Sequence, residues 1–563
     1  MAKRKLGGGN GSKKTFTADD IKTSAAQIQA DLKNECYDDA YHGAVELENR
    51  LRSVYLQNDG LKRIYLTTFI WKIRAKNGLH ASIDEIEALC REYYNISKQN
   101  GDDARCAQAA MVYAQAAIQQ GNWQKAQSAL ECAKDIYHHA QMYYEYVHVL
   151  TDIAEIETKQ YHWNSALENL EEAKKYTDQH FSHDDAHIMM CHILMHMQEI
   201  YELRGDGAQC MENLSRINDM MPIDDLYIIM NGGISHIHAL MQLDYDYPSA
   251  KHQLHTLEHI LSKRQAPPHI LKPWHSMIQF EKALLARKMG QYENANQWFE
   301  QLTHASMPET LVTASHIVRY QWAVESNATI AEQVQSEIER EQMDDWSFRS
   351  RSAFQMCRAE LDIERGKFDD AETILTSIRD ASDFLNLFPL TTAASSCLVP
   401  VYLSKNDICS AIHSSEIAAR GYQLMKQKFE YILSLLTCFY LYEKHPSYPR
   451  CQFLNDIHSS SYEDDKKQIE SIATHQFERC LQQGIDDDTM RLGLAMMRYY
   501  ISSHNKEQFD TIKQRIRPVI ERSEMMHRKM VFYFMCSKYE DNPENKQKAQ
   551  IIADQFGYIL PSI

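Results

Sequence analysis

The sequence has few of the residues that interrupt helices. Its 563 residues include only 19 glycines and 13 prolines, about half the average usage of each in globular proteins. These two residues disfavour a helix interior most strongly. Their scarcity argues against a fold rich in tight turns and predicts a nearly all-α protein.

Paired cysteines and long apolar runs are also missing. The thirteen cysteines occur singly and form no Cys-x-x-Cys, which excludes a zinc ribbon and a thioredoxin motif. Scattered thiols suit a reducing compartment. No stretch approaches eighteen uncharged apolar residues, so no membrane span is predicted. The N-terminal charges are not followed by an apolar segment, so no secretory signal is expected.

No motif of a known catalytic centre is present. The GGISH stretch (232–236) lacks the later glycine and the lysine of a phosphate-binding loop. No Gly-x-Ser-x-Gly nucleophile motif occurs. The sequence therefore predicts no enzyme, no catalytic residue and no cofactor.

One histidine-rich stretch invites a metal-site hypothesis. HDDAHIMMCHILMHM (183–197) holds four histidines, two acidic residues and a cysteine. A zincin needs His-Glu-x-x-His, but Ile193 takes the glutamate position in HILMH, and HDDAH has Asp184 there without an identifiable third ligand. We therefore favour a repeat helix and predict no metal. A metal protein that uses this stretch or KHQLHTLEH (251–259) is the alternative from a different class.

Charge is unevenly distributed along the chain. The first sixteen residues contain five basic residues and no acid, while the remaining 55 basic and 77 acidic residues give a net charge of -22. Such an acidic body repels polyanions, so the folded part is not expected to bind nucleic acid. The clusters KRK (3–5) and Lys13–Lys14 resemble a two-part import signal. They predict nuclear localisation, with the cytoplasm as the alternative.

A five-position pattern recurs seven times in one phase. Its first case, GNWQKAQSALECA, has Gly121, Trp123 and Ala126 at offsets 0, 2 and 5, followed by apolar residues at offsets 9 and 12. A turn-forming residue closes one helix, a bulky residue covers the turn, and a small residue lets the next helix approach closely. The small-residue positions are Ala126, Ala166, Cys210, Ala250, Ala295, Ala371 and Ala411. Gly121, Trp123, Trp163 and Gly366 are the other residues predicted to shape repeat packing.

This pattern resembles the second helix of the tetratricopeptide repeat (TPR), Gly-x-[Tyr/Phe/Trp]-x-x-Ala-x3-[Phe/Leu]-x2-Ala. The resemblance covers about 105–420, except near 326–338. The spacing of about 40 to 45 residues exceeds the usual 34. It implies an all-α, right-handed α-solenoid of roughly thirteen TPR-like hairpins. The predicted regions are a disordered basic tail (1–18), a helical cap (19–100), the TPR-like array (101–420) and irregular C-terminal helical hairpins that continue the solenoid (421–563).

The resemblance also implies a binding groove. In TPR proteins the first helices line one face, along which bound segments lie. By position, that face would be polar, somewhat acidic and rich in methionine, which suits an extended peptide with basic and apolar residues. The predicted groove residues are Gln108, Met111, Gln115, Gln119, His148, Thr151, Glu155, Lys159, His192, Met195, Glu199, Glu202, Ser235 and Gln242.

Among TPR families, the chain most resembles the TPR subunit of the cohesin-loading complex. SAFQMCRAELDIERGKFDDAETILTSI (352–378) and LTTAASSCLVPVYLSKNDICSAIHSSEIAARG (390–421) are similar to two successive units of that family's C-terminal half. The resemblance implies a large HEAT-repeat partner bound through an extended segment, and a role in sister-chromatid cohesion. The alternatives are a scaffold subunit of the anaphase-promoting complex, or a regulatory array of the kind attached to bacterial transcription activators.

Overall fold

The structure, a computed structural model, describes residues 17–220, 225–303, 309–340, 346–448 and 461–561. The predicted tail therefore lies almost wholly outside the described residues. The described residues form two compact units, residues 1–196 and 197–563. They contain 26 α-helices and no strand. This confirms the predicted fold class, an all-α solenoid of TPR-like hairpins.

The first unit and its boundary are built from nine helices, with a short 3-10 turn at Tyr55–Gln57. The last of them, α9, contributes residues to both units. They are α1 (Ala18–Lys33), α2 (Tyr37–Leu51), α3 (Asp59–Gly78), α4 (Ile83–Gln99), α5 (Asp103–Gln119), α6 (Trp123–His139), α7 (Tyr143–Lys159), α8 (Trp163–His180) and α9 (His183–Arg204).

The second unit contains the remaining helices, α10 to α26, and a π-helical turn (Leu240–Asp244) follows α11. The helices are α10 (Gly207–Asp219), α11 (Leu226–Ala239), α12 (Tyr247–Lys263), α13 (Pro268–Lys288), α14 (Tyr292–Thr303), α15 (Glu309–Ser326), α16 (Ala328–Arg340), α17 (Phe348–Glu364), α18 (Phe368–Phe384), α19 (Phe388–Ser404), α20 (Ile408–Leu424), α21 (Lys428–Lys444), α22 (Tyr462–Gln483), α23 (Asp486–Ser502), α24 (Lys506–Arg522), α25 (Met526–Glu540) and α26 (Pro543–Phe556).

A recurring turn explains the long repeat. Helices α5, α6 and α7 each have 17 residues, and three-residue turns separate them. Two such helices and two turns account for the 40-residue spacing. At Gly121 φ is 69°, and the turn closes with Asn122 N donating to Ala117 O at 2.8 Å, the pattern of a Schellman cap. The first position of the pattern has positive φ in all seven cases: Gly121, Tyr161, Gly205, Tyr245, Gly290, Gly366 and Asn406.

The stretch that fits the pattern poorly has a different turn. Between α15 and α16 the Asn327 side chain accepts hydrogen bonds from the backbone N–H groups of Thr329 (2.9 Å) and Ile330 (3.4 Å). Helix α16 has only 13 residues. An Asn cap replaces the left-handed residue here, so the repeat signal disappears although a helix is present.

Helices of odd and even number form two layers within each unit. Most odd helices pack against the even helix that follows them, and odd helices also pack on one another, as α3 does on α5 and α15 on α17. The small-residue positions lie at these contacts. Ala126, Ala166 and Ala371 are fully buried, and Ala295 is 2% exposed. Trp163 is buried, whereas Trp123 is half-buried with the Lys159 ammonium 5.7 Å from its ring centroid.

The region predicted as a cap contains α1 to α4. The Thr17 side chain accepts from the Asp20 N–H at 3.3 Å and the Asp20 carboxylate accepts from the Thr17 N–H at 2.8 Å, which completes a capping box at the start of α1. A buried ion pair joins Glu48 of α2 to Lys72 of α3 at 2.6 Å. The apolar side chains of α1 to α4 share one core with those of α5.

A buried network of ion pairs joins the middle of the second unit to its C-terminal helices. Asp488 is fully buried, accepts a hydrogen bond from the Tyr247 hydroxyl at 2.5 Å, and pairs with Lys288 at 2.8 Å. Its neighbour Asp487 pairs with Arg528 at 2.8 Å. Both carboxylates belong to the first turn of α23. They therefore hold that turn against α12, α13 and α25.

The C-terminal helices return against α15 and α17. Arg528 of α25 pairs with Glu325 of α15 at 2.5 Å. The Tyr558 hydroxyl donates to Val324 O at 3.0 Å, and Ile559 N donates to Glu364 O at 2.8 Å. The hairpins after residue 420 thus close against the middle of their own unit, a contact that the sequence did not predict.

Replacing a small residue at a repeat contact should destabilise the array. Ala295→Leu places three extra carbons between Phe299, Phe280 and Ala283, its core neighbours, and should cost about 1–3 kcal/mol through overpacking. Thermal unfolding followed by circular dichroism should show a lower melting temperature. Ala208→Leu, at an exposed position of α10, is the matched control. Equal melting of both variants and the wild type would contradict the packing assignment.

Removing one carboxylate of the buried network should be more costly. Asp487→Asn removes the carboxylate between the buried Arg528 and Lys288 and leaves each cation with one remaining acidic partner, so urea unfolding at pH 7 should show a loss of about 3 kcal/mol. Asp486→Asn, which breaks the neighbouring pair with the exposed Arg522, should cost below about 1 kcal/mol.

The same network predicts acid sensitivity. Burial alone would raise the pKa of Asp487, but Arg528 and Lys288 hold that pKa well below its usual value. A lowered carboxyl pKa gives stability that is present above pH 4 or so and is lost as the pH falls further. The wild type should therefore lose stability on acidification more steeply than Asp487→Asn. Parallel acid unfolding curves for the two proteins would contradict this.

Candidate functional site

Four polar residues form one stripe along α7. Val149, Leu150 and Ile153 are buried and place the helix in the core. His148, Asp152, Glu155 and Lys159 follow one another at intervals of four, three and four residues, which keeps them on one helix face. His148, Glu155 and Lys159 are exposed and Asp152 is half-buried.

The stripe lies beside two histidines of α9. Burial is the main cause that lowers the pKa of His148, and the nearby His192 lowers it further. Burial also lowers the pKa of His196, while the negative charge of Glu155 acts in the opposite direction. Such electrostatic effects need short separations. We call the six residues His148, Asp152, Glu155, Lys159, His192 and His196 the α7–α9 face. Because the pKa of the His148 imidazole and that of the His196 imidazole each lie below the usual value, the neutral form predominates at pH 7.

Asp152 is the unusual member of this face. No hydrogen bond or ion pair with another described residue reaches its carboxylate. Burial, and then repulsion by Glu155, raises the pKa of Asp152 to about 6. The Glu155 carboxylate itself pairs with Lys159 at 2.5 Å. The face thus holds a desolvated carboxylate that lacks a cation, an arrangement that attracts a positively charged ligand group.

The structure places the predicted residues of α5 differently from one another. The Gln108 carbonyl oxygen accepts from the Tyr93 hydroxyl at 2.9 Å and from Arg105 at 3.0 Å, so it is engaged within the fold. Met111 is half-buried, and Gln115 and Gln119 are exposed.

Residues predicted on α7, α9 and α11 also divide. Thr151 is buried and donates to His148 O of its own helix at 2.7 Å, so its hydroxyl is not available to a ligand. Met195 is half-buried. Glu199 and Glu202 are exposed on the part of α9 that belongs to the second unit. In the same unit, Ser235 of α11 is half-buried and Gln242 of the π-helical turn is exposed. That they extend the α7–α9 face stays a prediction.

Sequence reasoning missed Asp152 and His196. Asp152 lies four residues after His148 and three before Glu155, spacings that place it on the same helix face as both. Thr151 fits this spacing equally well, so the sequence did not show that Thr151 is buried and Asp152 only half-buried. His196 was visible as the second histidine of HILMH, but it was considered only as a metal ligand.

The metal hypothesis receives no candidate site within the described residues. His183 and Asp184 have side chains outside the described set, and the described His, Cys, Asp and Glu side chains form no group of three or more that could hold an ion. In the second histidine stretch, His252 is exposed and His255 contacts Glu258 at 3.3 Å. Among the described helices, none is long and apolar enough to cross a membrane.

Comparisons with other proteins give similarity of fold only. No family model matches the chain, and no curated protein matches it. Among solved structures it is similar to NprR in complex with its cognate peptide NprX, with 14% identity and a TM-score of 0.40 over 65% of this chain and 98% of that one.

Two further solved structures cover almost the whole chain. One is the Cut9–Hcn1 hetero-tetramer of the APC/C, with 10% identity and a TM-score of 0.32 over 95% of this chain and 97% of that one. The other is Naa15/Naa10 bound to HypK-THB, with 11% identity and a TM-score of 0.21 over 95% and 100%. Values this low say nothing about what this chain binds, so its function must be argued from its own residues.

Neutralising Asp152 should stabilise the protein at neutral pH. A raised carboxyl pKa means that ionisation is penalised in the folded state, so wild-type stability falls as pH rises from about 4 through about 6. Asp152→Asn avoids this loss and should be more stable at pH 8 by about 1 kcal/mol, since a partly solvated carboxylate keeps some hydration.

Denaturant unfolding at pH 4 and pH 8 measures this effect. The two proteins should differ at pH 8 and coincide near pH 4. Asp135→Asn, at an exposed position of α6, should match the wild type at both. A pH-independent difference for Asp152→Asn would show that the effect is not electrostatic.

Proposed function

We propose that this protein is a non-enzymatic TPR-type scaffold that holds an extended segment of a large protein partner on the α7–α9 face. The observation that carries the proposal is the half-buried Asp152 carboxylate, which no cation of the described residues reaches and which lies beside Glu155. A lysine or arginine of the partner supplies the missing charge.

The layout of the face favours an extended ligand. From His148 to Lys159 the stripe spans eleven helical steps, about 16 Å. A peptide strand of about five residues has the same length. Glu155 and Lys159 already pair with each other, so the ligand's main electrostatic gain comes at Asp152. The neutral imidazoles of His148 and His196 offer hydrogen bonds to a peptide backbone or polar side chain.

For the partner, we propose the large HEAT-repeat subunit of the cohesin loader, and hence a role in sister-chromatid cohesion and chromosome segregation in the nucleus. The resemblance of 352–378 and 390–421 to that family's TPR subunit supports this identity. The acidic body, with a net charge of -17 for the whole chain, fits a basic protein segment better than nucleic acid.

Affinity purification followed by mass spectrometry tests the partner's identity. Recovery of a giant HEAT-repeat protein would support the cohesin loader. Recovery of cullin-RING ligase subunits would instead support the anaphase-promoting-complex alternative and overturn the loader assignment.

The face itself is tested by binding of the purified partner segment. Asp152→Asn with Glu155→Gln should weaken binding about tenfold, the loss of roughly 1.4 kcal/mol of charge interaction. Wild-type affinity should also fall as salt is added, because exposed charges are screened over about 8–10 Å. Glu168→Gln, at an exposed position of the even helix α8, is the matched control. Unchanged binding by a folded double variant would move the partner site elsewhere.

Nuclear localisation is tested separately with the N-terminal basic residues. Alanine at Lys3, Arg4, Lys5, Lys13 and Lys14 should shift a fluorescently tagged protein to the cytoplasm. Unchanged nuclear accumulation would remove the import signal from this tail.

A further inference from the structure

Three large apolar side chains are exposed at successive helix ends of the second unit. Phe384, the last residue of α18, is 86% exposed; Phe388, the first residue of α19, is 45% exposed; and Leu424, the last residue of α20, is 64% exposed. Single exposed apolar residues are ordinary on a protein surface, but a cluster marks an interaction site.

The backbone brings these three residues to one edge. Gly421 lies so close to Thr392 that an added Cβ would collide with the threonine side chain. Phe388 precedes Thr392 by one turn and Leu424 follows Gly421 by about one turn, and α19 and α20 pack along each other. Phe388 and Leu424 are therefore at the same end of this helix pair. Only a three-residue turn separates Phe384 from Phe388.

Other residues provide the apolar contacts that close these helix ends. Leu387 is 1% exposed and Met425 is 3% exposed. A Cβ added at Gly205 would lie 2.8 Å from Met425 and 3.1 Å from Pro389, so the turn before α10 covers both. The hydrophobic contact that closes a helix end is thus provided by Leu387 and Met425. Folding does not account for the apolar character of Phe384, Phe388 and Leu424.

Basic residues flank Leu424 on both sides in the sequence. Arg420, Lys426 and Lys428 are exposed, and none of them forms an ion pair with a described residue. Arg420 shares a helix face with Leu424 through its i, i+4 spacing. On the other side, Asp383 lies next to Phe384, and Asp380 already pairs with Arg379 at 3.0 Å. The edge is locally positive on a chain whose net charge is -17.

We propose that this edge, formed by Phe384, Phe388, Leu424, Arg420, Lys426 and Lys428, docks an acidic amphipathic segment of a second protein. The segment's apolar residues cover the two phenylalanines and the leucine, and its Asp or Glu residues pair with the three cations. A second copy of this chain is a poorer occupant, since a symmetric contact would bring the same three cations together. The ligand's charge is opposite to that of the segment proposed for the α7–α9 face, so this is a separate docking site.

The test uses a defined probe with the full-length protein. The probe is a fluorescently labelled helical peptide of about four turns, with Leu or Phe at i, i+4 and i+7 and Glu between them. Fluorescence anisotropy should show binding that weakens about tenfold or more in the variant Phe384→Ser, Phe388→Ser, Leu424→Ser. The charge-reversal variant Arg420→Glu, Lys426→Glu, Lys428→Glu should show a similar loss.

Two matched controls separate this edge from general stickiness. Leu56→Ser removes another exposed leucine, 70% exposed in the first unit, and should leave binding unchanged. A peptide with Lys in place of Glu should not bind. Hydrogen exchange should show protection of 384–388 and 420–428 when the acidic probe is added.

Three outcomes would overturn the proposal. They are equal affinity of the serine variant and the wild type, equal binding of the acidic and basic peptides, and protection confined to other segments. Sedimentation in which the wild type dimerises and the serine variant does not would assign the edge to a second copy instead.

Discussion

Many of the described turns between successive helices hold one residue in the left-handed conformation, and the position of that residue sets the packing around it. Gly121 shows why: once the chain reverses there, a small residue five positions later must meet the preceding helix, and Ala126 is fully buried. Because these turns recur at a nearly constant interval, odd helices fall in one layer and even helices in another. Residues at equivalent positions of α7 and α9 then meet on one face.

The turn also explains how much of the fold was predictable. All seven predicted turn positions adopt positive φ, including Tyr161, Tyr245 and Asn406. These three could be predicted because the small and apolar residues that follow them fit the repeat pattern. The turns between repeats also use positive φ, at residues such as Gln141 and Lys426. These residue types carry no left-handed signature, so the sequence alone did not reveal that these turns share the conformation of the turns within the repeats.

Contacts between distant parts of the chain were beyond sequence reasoning. Tyr247 and Asp488 are separated by 241 positions, and neither residue type at its local position indicates a buried partner.

The binding face was predicted only in part for a different reason. The repeat pattern fixes the position of a helix face only to within one residue. For this reason Thr151, which is buried, was predicted to line the face, whereas the half-buried Asp152 lines it in the structure. The two proposed docking sites carry opposite charge, so each selects a ligand segment of the other sign.

The buried network in the second unit has a consequence for synthesis of the protein. Lys288 precedes its partner Asp488 by 200 residues. At about 5–20 residues per second, a ribosome needs about 10–40 s to add that stretch. During this interval the middle helices of the unit have left the ribosome while the carboxylates that neutralise their inward cations do not yet exist. We therefore expect the second unit to complete this network and its C-terminal packing only when its last four helices have emerged.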